Sequence, residues 1–210
     1  IVSFAIALVL LMFYMCAAYG LIPGLIANGA LVINIFFTMG ILASFQAVLT
    51  LSGIAGMVLT LGMAVDANVL IYERTKEELR SGKNLKKSLD DGYKNAFSAI
   101  FDSNLTTIIT GIVLFYFGTG PIRGFATTLI IGLVASFLTA VFLTRIVYEA
   151  LIAKEKIKEL PFTTSFTQDL LVNPTVNFLG KRKIGYLIPF ALIMLGGISM
   201  ATIGLNNGID

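Results

Sequence analysis

"LGMAVDANVLIYERTKEELR", residues 61–80, is apolar in its first half and a string of charges in its second. One carboxylate, Asp66, stands inside the apolar part. Glu73 lies seven residues further on, which on a helix rising ~1.5 Å per residue sets Asp66 about 10 Å deeper in a membrane than Glu73. An aspartate at the centre of a span costs about 2.5–3.5 kcal/mol on insertion scales, so an acid kept there is a functional-site hypothesis by default. Its neighbours one turn away, Gly62 and Leu70, carry no counter-charge. An acid that trades a proton with water inside a membrane is what a proton pathway needs; the structural alternative is an acid hydrogen-bonded to a neighbouring helix. Gly53, Gly56 and Gly62 permit close helix packing around it, which favours a bundle interior.

The rest of the chain has the same character. Of 210 residues, 57% are hydrophobic and 13% charged, where a soluble domain carries about 25% charged residues. Uncharged apolar runs of about 20 residues, enough to cross a bilayer, recur along it. The fold class that follows is all-α, a polytopic transmembrane bundle with six spans near 1–19, 24–46, 50–73, 98–118, 124–148 and 184–204. Gly20, Pro23 and Gly24 of "YGLIPG" are expected to break the first span from the second. "GTGPIRG", 118–124, forms a tight turn between the fourth and fifth.

Basic residues orient these spans. Seven of the fifteen Lys and Arg fall between Arg74 and Lys94, seven between Arg145 and Lys183, and only Arg123 in the turn between the fourth and fifth spans. Both basic loops lie on one side in a six-span count, so the positive-inside rule makes that side cytoplasmic and both chain ends periplasmic. Ile1 opens within an apolar segment with no basic lead-in, and Asp210 follows another, so further sequence is expected on either side. The net charge of +3 is accounted for by these loops and anionic lipid, and nucleic acid is not an expected partner.

Within the first basic loop, Leu85, Leu89, Tyr93 and Phe97 recur every four residues beside Lys86, Lys87, Asp90, Asp91 and Lys94. That pattern predicts an amphipathic helix over 85–97 lying along the cytoplasmic membrane surface. Residues 151–183 read as a linker joining two membrane units.

A second polar cluster, "FDSNLTTIITG" at 101–111, places Asp102, Asn104, Thr106 and Thr107 at the start of the fourth span. Asp102, Thr106 and Thr110 share a helix face. Two roles stand open: Asp102, Asn104 and the threonines line a proton or water path beside Asp66, or Asp102 caps the fourth helix at its N-terminus. Asn28 and Asn34 are neutral polar groups suited to interhelical hydrogen bonds. The single cysteine, Cys16, lies in an apolar run as a packing residue, and the chain has no histidine, which removes the usual zinc-protease signature and near-neutral proton carrier. No phosphate-cradling loop with its lysine is present, so ATP is not an expected energy source. Neither enzymatic chemistry nor a cofactor is expected; the coupling ion is H⁺, with Na⁺ as the alternative.

"GMAVDANVLIYER", "DSNLTT" and "FGTGPIRGFA", together with "GLIANGALVINI" upstream, closely resemble the SecD membrane region of the SecD/SecF protein-export family, over about residues 1–150. "GKRK" and "GLNNGID" at 180–183 and 204–210 resemble the opening of the SecF part. The resemblance implies the resistance–nodulation–division superfamily, with this chain about half of a pseudo-symmetric twelve-span transporter. It places the family's proton-carrying aspartate on Asp66 and its supporting motif on Asp102 to Thr107. It further implies work beside the SecYEG translocon, on a translocating preprotein, driven by the proton-motive force across a bacterial inner membrane. A proton-driven small-molecule or lipid exporter of the same superfamily and a non-transporting translocon scaffold are the alternatives.

Overall fold

A computed structural model of the chain describes residues 2–45, 50–154, 160–164, 167 and 182–204. These residues are all-helical: α1 (Val2–Tyr19), α2 (Leu21–Ser44), α3 (Leu51–Arg80), α4 (Leu85–Phe117), α5 (Pro121–Phe137), a π-helical turn (Leu138–Leu143), α6 (Thr144–Ala153) and α7 (Arg182–Ile203). The chain divides into two units, Ile1–Asp169 and Leu170–Asp210. Among the described residues, four stretches are long and apolar enough to cross a membrane: Leu21–Ser44, Leu51–Arg80, Leu85–Phe117 and Pro121–Ala153, the last joining α5 to α6 through the π turn. Ala5–Tyr19 in α1 and Gly185–Met200 in α7 are shorter apolar stretches. In the second unit, α7 carries Pro189 in its interior.

Several boundaries differ from the sequence reading for identifiable reasons. Gly20 alone separates α1 from α2, at φ 92°, a backbone that favours glycine. Pro23 and Gly24 do not break a helix. Pro23 lies in the first turn of α2, where its missing N–H has no intrahelical partner to lose. Gly24 is there for packing, since a Cβ would stand 2.8 Å from the Cys16 nitrogen.

Helices α3 and α4 run well past the apolar spans. α3 has 30 residues and α4 has 33, or about 45 and 50 Å, against about 30 Å of hydrocarbon. The amphipathic stretch 85–97 is therefore the first part of α4, continuous with the fourth span, and not a separate helix on the membrane surface. Asn84 caps it, its side chain accepting from the Lys87 N–H at 2.9 Å. Three residues of the expected apolar stripe, Leu85, Leu89 and Tyr93, are buried in the protein core. The fourth, Phe97, is 42% exposed. Gly92 lets this part of α4 close on α3, because a Cβ there would lie 2.9 Å from the Thr75 nitrogen. The turn is held by Lys83, which pairs with Glu78 and with Asp91 at 2.8 Å, while Asn95 donates to Glu78 at 3.0 Å. The hydrogen bonds that Lys83 donates to Asp91 and then to Glu78 hold its ammonium above the usual lysine range.

The most extensive packing between described helices is that of α3 on α5, where small residues let backbones approach. A Cβ at Gly56 would stand 2.9 Å from the Phe125 carbonyl oxygen, and one at Gly132 would stand 2.8 Å from Thr60 Cβ. Asn34 of α2 donates to Ser136 of α5 at 2.8 Å, Thr38 donates to Asn34 at 3.2 Å, and Ser136 donates to the Gly132 carbonyl at 2.7 Å. Asn28 ties α2 to α1 through the Met12 carbonyl at 3.1 Å and Cys16 Sγ at 3.4 Å. Both asparagines thus serve as interhelical links, as their polarity in apolar sequence predicts.

Part of the expected linker returns to the bundle. Phe162 is fully buried with φ 49°, a backbone that costs a non-glycine residue and persists where packing enforces it. Its ring lies 5.2 Å from Tyr72 of α3 and 5.8 Å from Tyr148 of α6, and Tyr19 of α1 stands 5.3 Å from Tyr72. Thr164 donates to the Ala17 carbonyl at 2.8 Å. This aromatic cluster closes the end of the bundle that carries the α3–α4 turn. The remainder of the linker, including Pro174, and the "GLNNGID" stretch beyond Gly204 lie outside the described residues.

Candidate functional site: the Asp66 face

Asp66 is exposed, on a stripe of α3 that also exposes Leu51, Ala55, Leu59 and Gly62. The opposite side of α3 is buried: Thr60, Ala64, Ala67, Asn68, Ile71, Tyr72 and Thr75 face the bundle. Among the described residues, no hydrogen bond or ion pair reaches the Asp66 carboxylate. The three glycines near it divide in role. Gly53 and Gly56 are buried against α5, whereas Gly62, one turn before Asp66, has nothing within 4 Å of where a Cβ would stand. Asp66 and Gly62 together form a polar, narrow-waisted patch on a helix that is otherwise well packed.

Asp102 is not a helix cap. It lies inside α4, more than four turns beyond the Asn84 cap. The cap reading failed because the helix starts at residue 85, where the charged sequence begins, and not at the edge of the apolar span. Asp102 is exposed, as are Ser98, Thr106 and Thr110, which recur every four residues along one face. Ser98 approaches the Asp102 carboxylate at 3.5 Å. The other polar groups of this cluster turn to their own helix: Asn104 donates to the Ile100 carbonyl at 2.7 Å, Thr106 to Asp102 at 2.8 Å, Thr107 to Ser103 at 3.0 Å, and Thr110 to Thr106 at 3.1 Å. Among the described residues none of these side chains bonds to Asp66. The same hydroxyls keep a free lone pair each, so the stripe remains able to accept a hydrogen bond.

Two groups beside Asp66 lack an obvious signal in the sequence. Asn68 is buried, and its Oδ1 has no hydrogen-bond partner among the described residues. Tyr72 is fully buried and donates to the Pro23 carbonyl at 2.9 Å. Both positions follow from helical phase: 68 and 72 are four apart and point away from the face that carries 62 and 66. No group of three or more His, Cys, Asp or Glu side chains among the described residues could hold a metal ion.

Residues 1–154 match the family model described as "Protein export membrane protein SecD/SecF, C-terminal". The chain belongs to this family. It is 57% identical over 134 residues to the protein translocase subunit SecD of Rhodothermus marinus, covering 64% of this chain and 22% of that protein. It is 40% identical to the protein translocase subunit SecDF of Bacillus subtilis over its whole length, which is 30% of that protein. Among solved structures, the crystal structure of SecDF from Thermus thermophilus, described as a translocon-associated membrane protein, superposes with a TM-score of 0.82 at 36% identity, covering 95% of this chain and 27% of that one. The chain thus spans less than a third of the length of these relatives. A multi-pass, all-helical membrane protein of the SecD/SecF C-terminal family is what these likenesses establish.

Proposed function

We propose that this chain is the membrane bundle of a preprotein-export motor, in which Asp66 takes up and releases the proton that drives movement. The observation that carries the reading is the exposed, unpaired Asp66 carboxylate on the apolar half of α3, beside the open position at Gly62. An acid so placed costs several kcal/mol unless a second group or a water path meets it. The names of the relatives, translocase subunits SecD and SecDF, supply the process. The partner for the Asp66 face is a further membrane segment of the same protein, and the wider partners are the SecYEG translocon, the translocating preprotein and the surrounding lipid.

The Ser98–Asp102–Thr106–Thr110 stripe of α4 supports proton or water movement near the same depth, with Asn104 and Thr107 bracing it through their own helix. Proton binding at Asp66 shifts the packing of α3 only if the two packings differ in proton affinity, which is the coupling a motor requires. The end bearing the α3–α4 turn is cytoplasmic and the other periplasmic, in a bacterial inner membrane, because the basic residues from Arg74 to Lys94 gather around that turn while Arg123 lies in the turn between α4 and α5. No cofactor and no enzymatic step enter this account.

The test measures preprotein export into inverted membrane vesicles under a proton gradient, a sodium gradient, or neither. Stimulation by the proton gradient alone supports the reading. Stimulation by sodium alone assigns the site to Na⁺, and equal export under all three leaves a scaffold that does no gradient-driven work.

A further inference from the structure

The charged end of the bundle holds a cleft that the Asp66 site does not use. Two adjoining cavities, of about 420 and 400 Å³, lie between the first part of α4 and the junction of the π turn with α6. They share Asp90, Tyr93 and Arg145. Lys86 and Glu149 line the first; Lys87, Asp91, Lys94, Phe97 and Val141 line the second. The cleft's carboxylates are all engaged: Asp91 pairs with Lys83 and Lys87, Asp90 with Arg145 at 3.5 Å, and Glu149 with Arg145 at 2.9 Å. Arg145 uses Nε and one terminal nitrogen for these contacts, which fixes its plane and leaves donors over. Lys86 and Lys94 are exposed and have no ion pair among the described residues.

Below the cleft the surface turns aromatic. Phe97, 42% exposed, lines the second cavity and stacks on Phe101 with centroids 6.0 Å apart. Phe137 meets Phe97 edge-on at 5.9 Å and Phe142 at 6.1 Å. Phe101 and Phe142 are themselves 45% and 51% exposed. The strip begins where the sequence of α4 changes from charged to apolar, so it lies against hydrocarbon while Lys94 stands at headgroup depth.

We propose that this cleft binds one anionic phospholipid, its phosphate taken by Lys94 and Arg145 and an acyl chain laid along Phe97, Phe101 and Phe142. Basic pockets between spans at a membrane face recognise acidic headgroups, and a guanidinium with fixed orientation suits phosphate. The aromatic continuation selects a lipid over a soluble phosphate, which would use only the upper half. The excess of cations in the lining selects an acidic headgroup over a zwitterionic one. The site stands apart from Asp66 and does not depend on the direction of export.

The test is native mass spectrometry of the intact protein in mild detergent, offered equal amounts of phosphatidylglycerol and phosphatidylcholine with the same chains. Phosphatidylglycerol is expected to be retained preferentially. Lys94→Gln, which breaks no ion pair seen among the described residues, should cut its retention about fivefold and leave phosphatidylcholine unchanged. Arg123→Gln, at the other end of the bundle, should change neither. Lys94→Gln and the wild type should melt alike, which separates loss of a lipid from loss of the fold. Equal retention of the two lipids, or phosphatidylglycerol binding that survives Lys94→Gln, overturns the proposal. So does a dependence on Phe97→Ala without any dependence on Lys94.

Discussion

Tyr72 lies six residues beyond Asp66 on α3 and donates its hydroxyl to the Pro23 carbonyl at 2.9 Å, joining the acid-bearing helix to the first turn of α2. A carbonyl in the first turn of a helix accepts an intrahelical N–H, so Tyr72 meets the second lone pair of the Pro23 oxygen, and the ring that donates is packed by Tyr19, Tyr148 and Phe162. Asp66 and Tyr72 are about 9 Å apart along the helix axis, on different sides. One side of α3 is thereby anchored while the side that carries the acid is left open.

Removing that anchor has a defined cost. Tyr72→Phe keeps the buried ring and deletes the donor that ties α3 to α2. The expected loss is about 0.5–1.5 kcal/mol, seen as a lower melting temperature of the purified protein in detergent. An unchanged melt would mean that water replaces the hydroxyl.

Two glycines six residues apart on α3 should behave in opposite ways. Gly56→Ala drives a methyl toward the Phe125 carbonyl and Thr128 of α5, and overpacking of this kind costs about 1–3 kcal/mol. Gly62→Ala meets nothing within 4 Å and should leave stability equal or slightly higher, since alanine favours helix by about 1 kcal/mol. If the Gly62–Asp66 face packs on another membrane segment, Gly62→Ala should nonetheless lower export. Thermal melts and vesicle export measured on both variants separate these effects.

The α3–α4 turn carries a pH dependence of known sign. The Lys83 ammonium is held above its usual range by Asp91 and Glu78. Its contribution is therefore complete below the ordinary lysine value of about 10.4 and is lost as pH rises through the higher folded value. Lys83→Gln should speed amide exchange over residues 81–88 at neutral pH, relative to intrinsic rates. The difference from wild type should fade at pH above the folded Lys83 value. A difference that persists at all alkaline pH would assign the ordering to something other than this charge.

Much of this arrangement is legible in the sequence because hydropathy and charge act locally. The helix order, the charged turn after Arg74 and the linking roles of Asn28 and Asn34 all follow from residue type and spacing. The exposure of Asp66 does not: Gly53, Gly56 and Gly62 read together as marking a bundle interior, and only the first two pack on α5. Helix ends inside charged sequence are less legible: hydropathy marks where a membrane stops, and α3 and α4 continue as helices beyond it. That is why a cap at Asp102 stands as one of two readings of the sequence when it is a helix-interior residue, and why the Leu85–Leu89–Tyr93 stripe reads as lipid-facing when α3 and α6 cover it. Pro23 reads as a breaker because its effect depends on position within the first turn. The return of Phe162 to Tyr72 has no local signature, since a contact across ninety residues leaves no periodicity at either end.

The account rests on Asp66 as a group that binds and releases a proton under load. Asp66→Asn preserves size and removes the titratable group. The most direct measurement is preprotein export into inverted vesicles by wild type and Asp66→Asn at equal protein level, with and without a proton gradient. The account predicts that the variant keeps gradient-independent export and loses the gradient-dependent part. Export by Asp66→Asn that still rises with the gradient as the wild type does would contradict it.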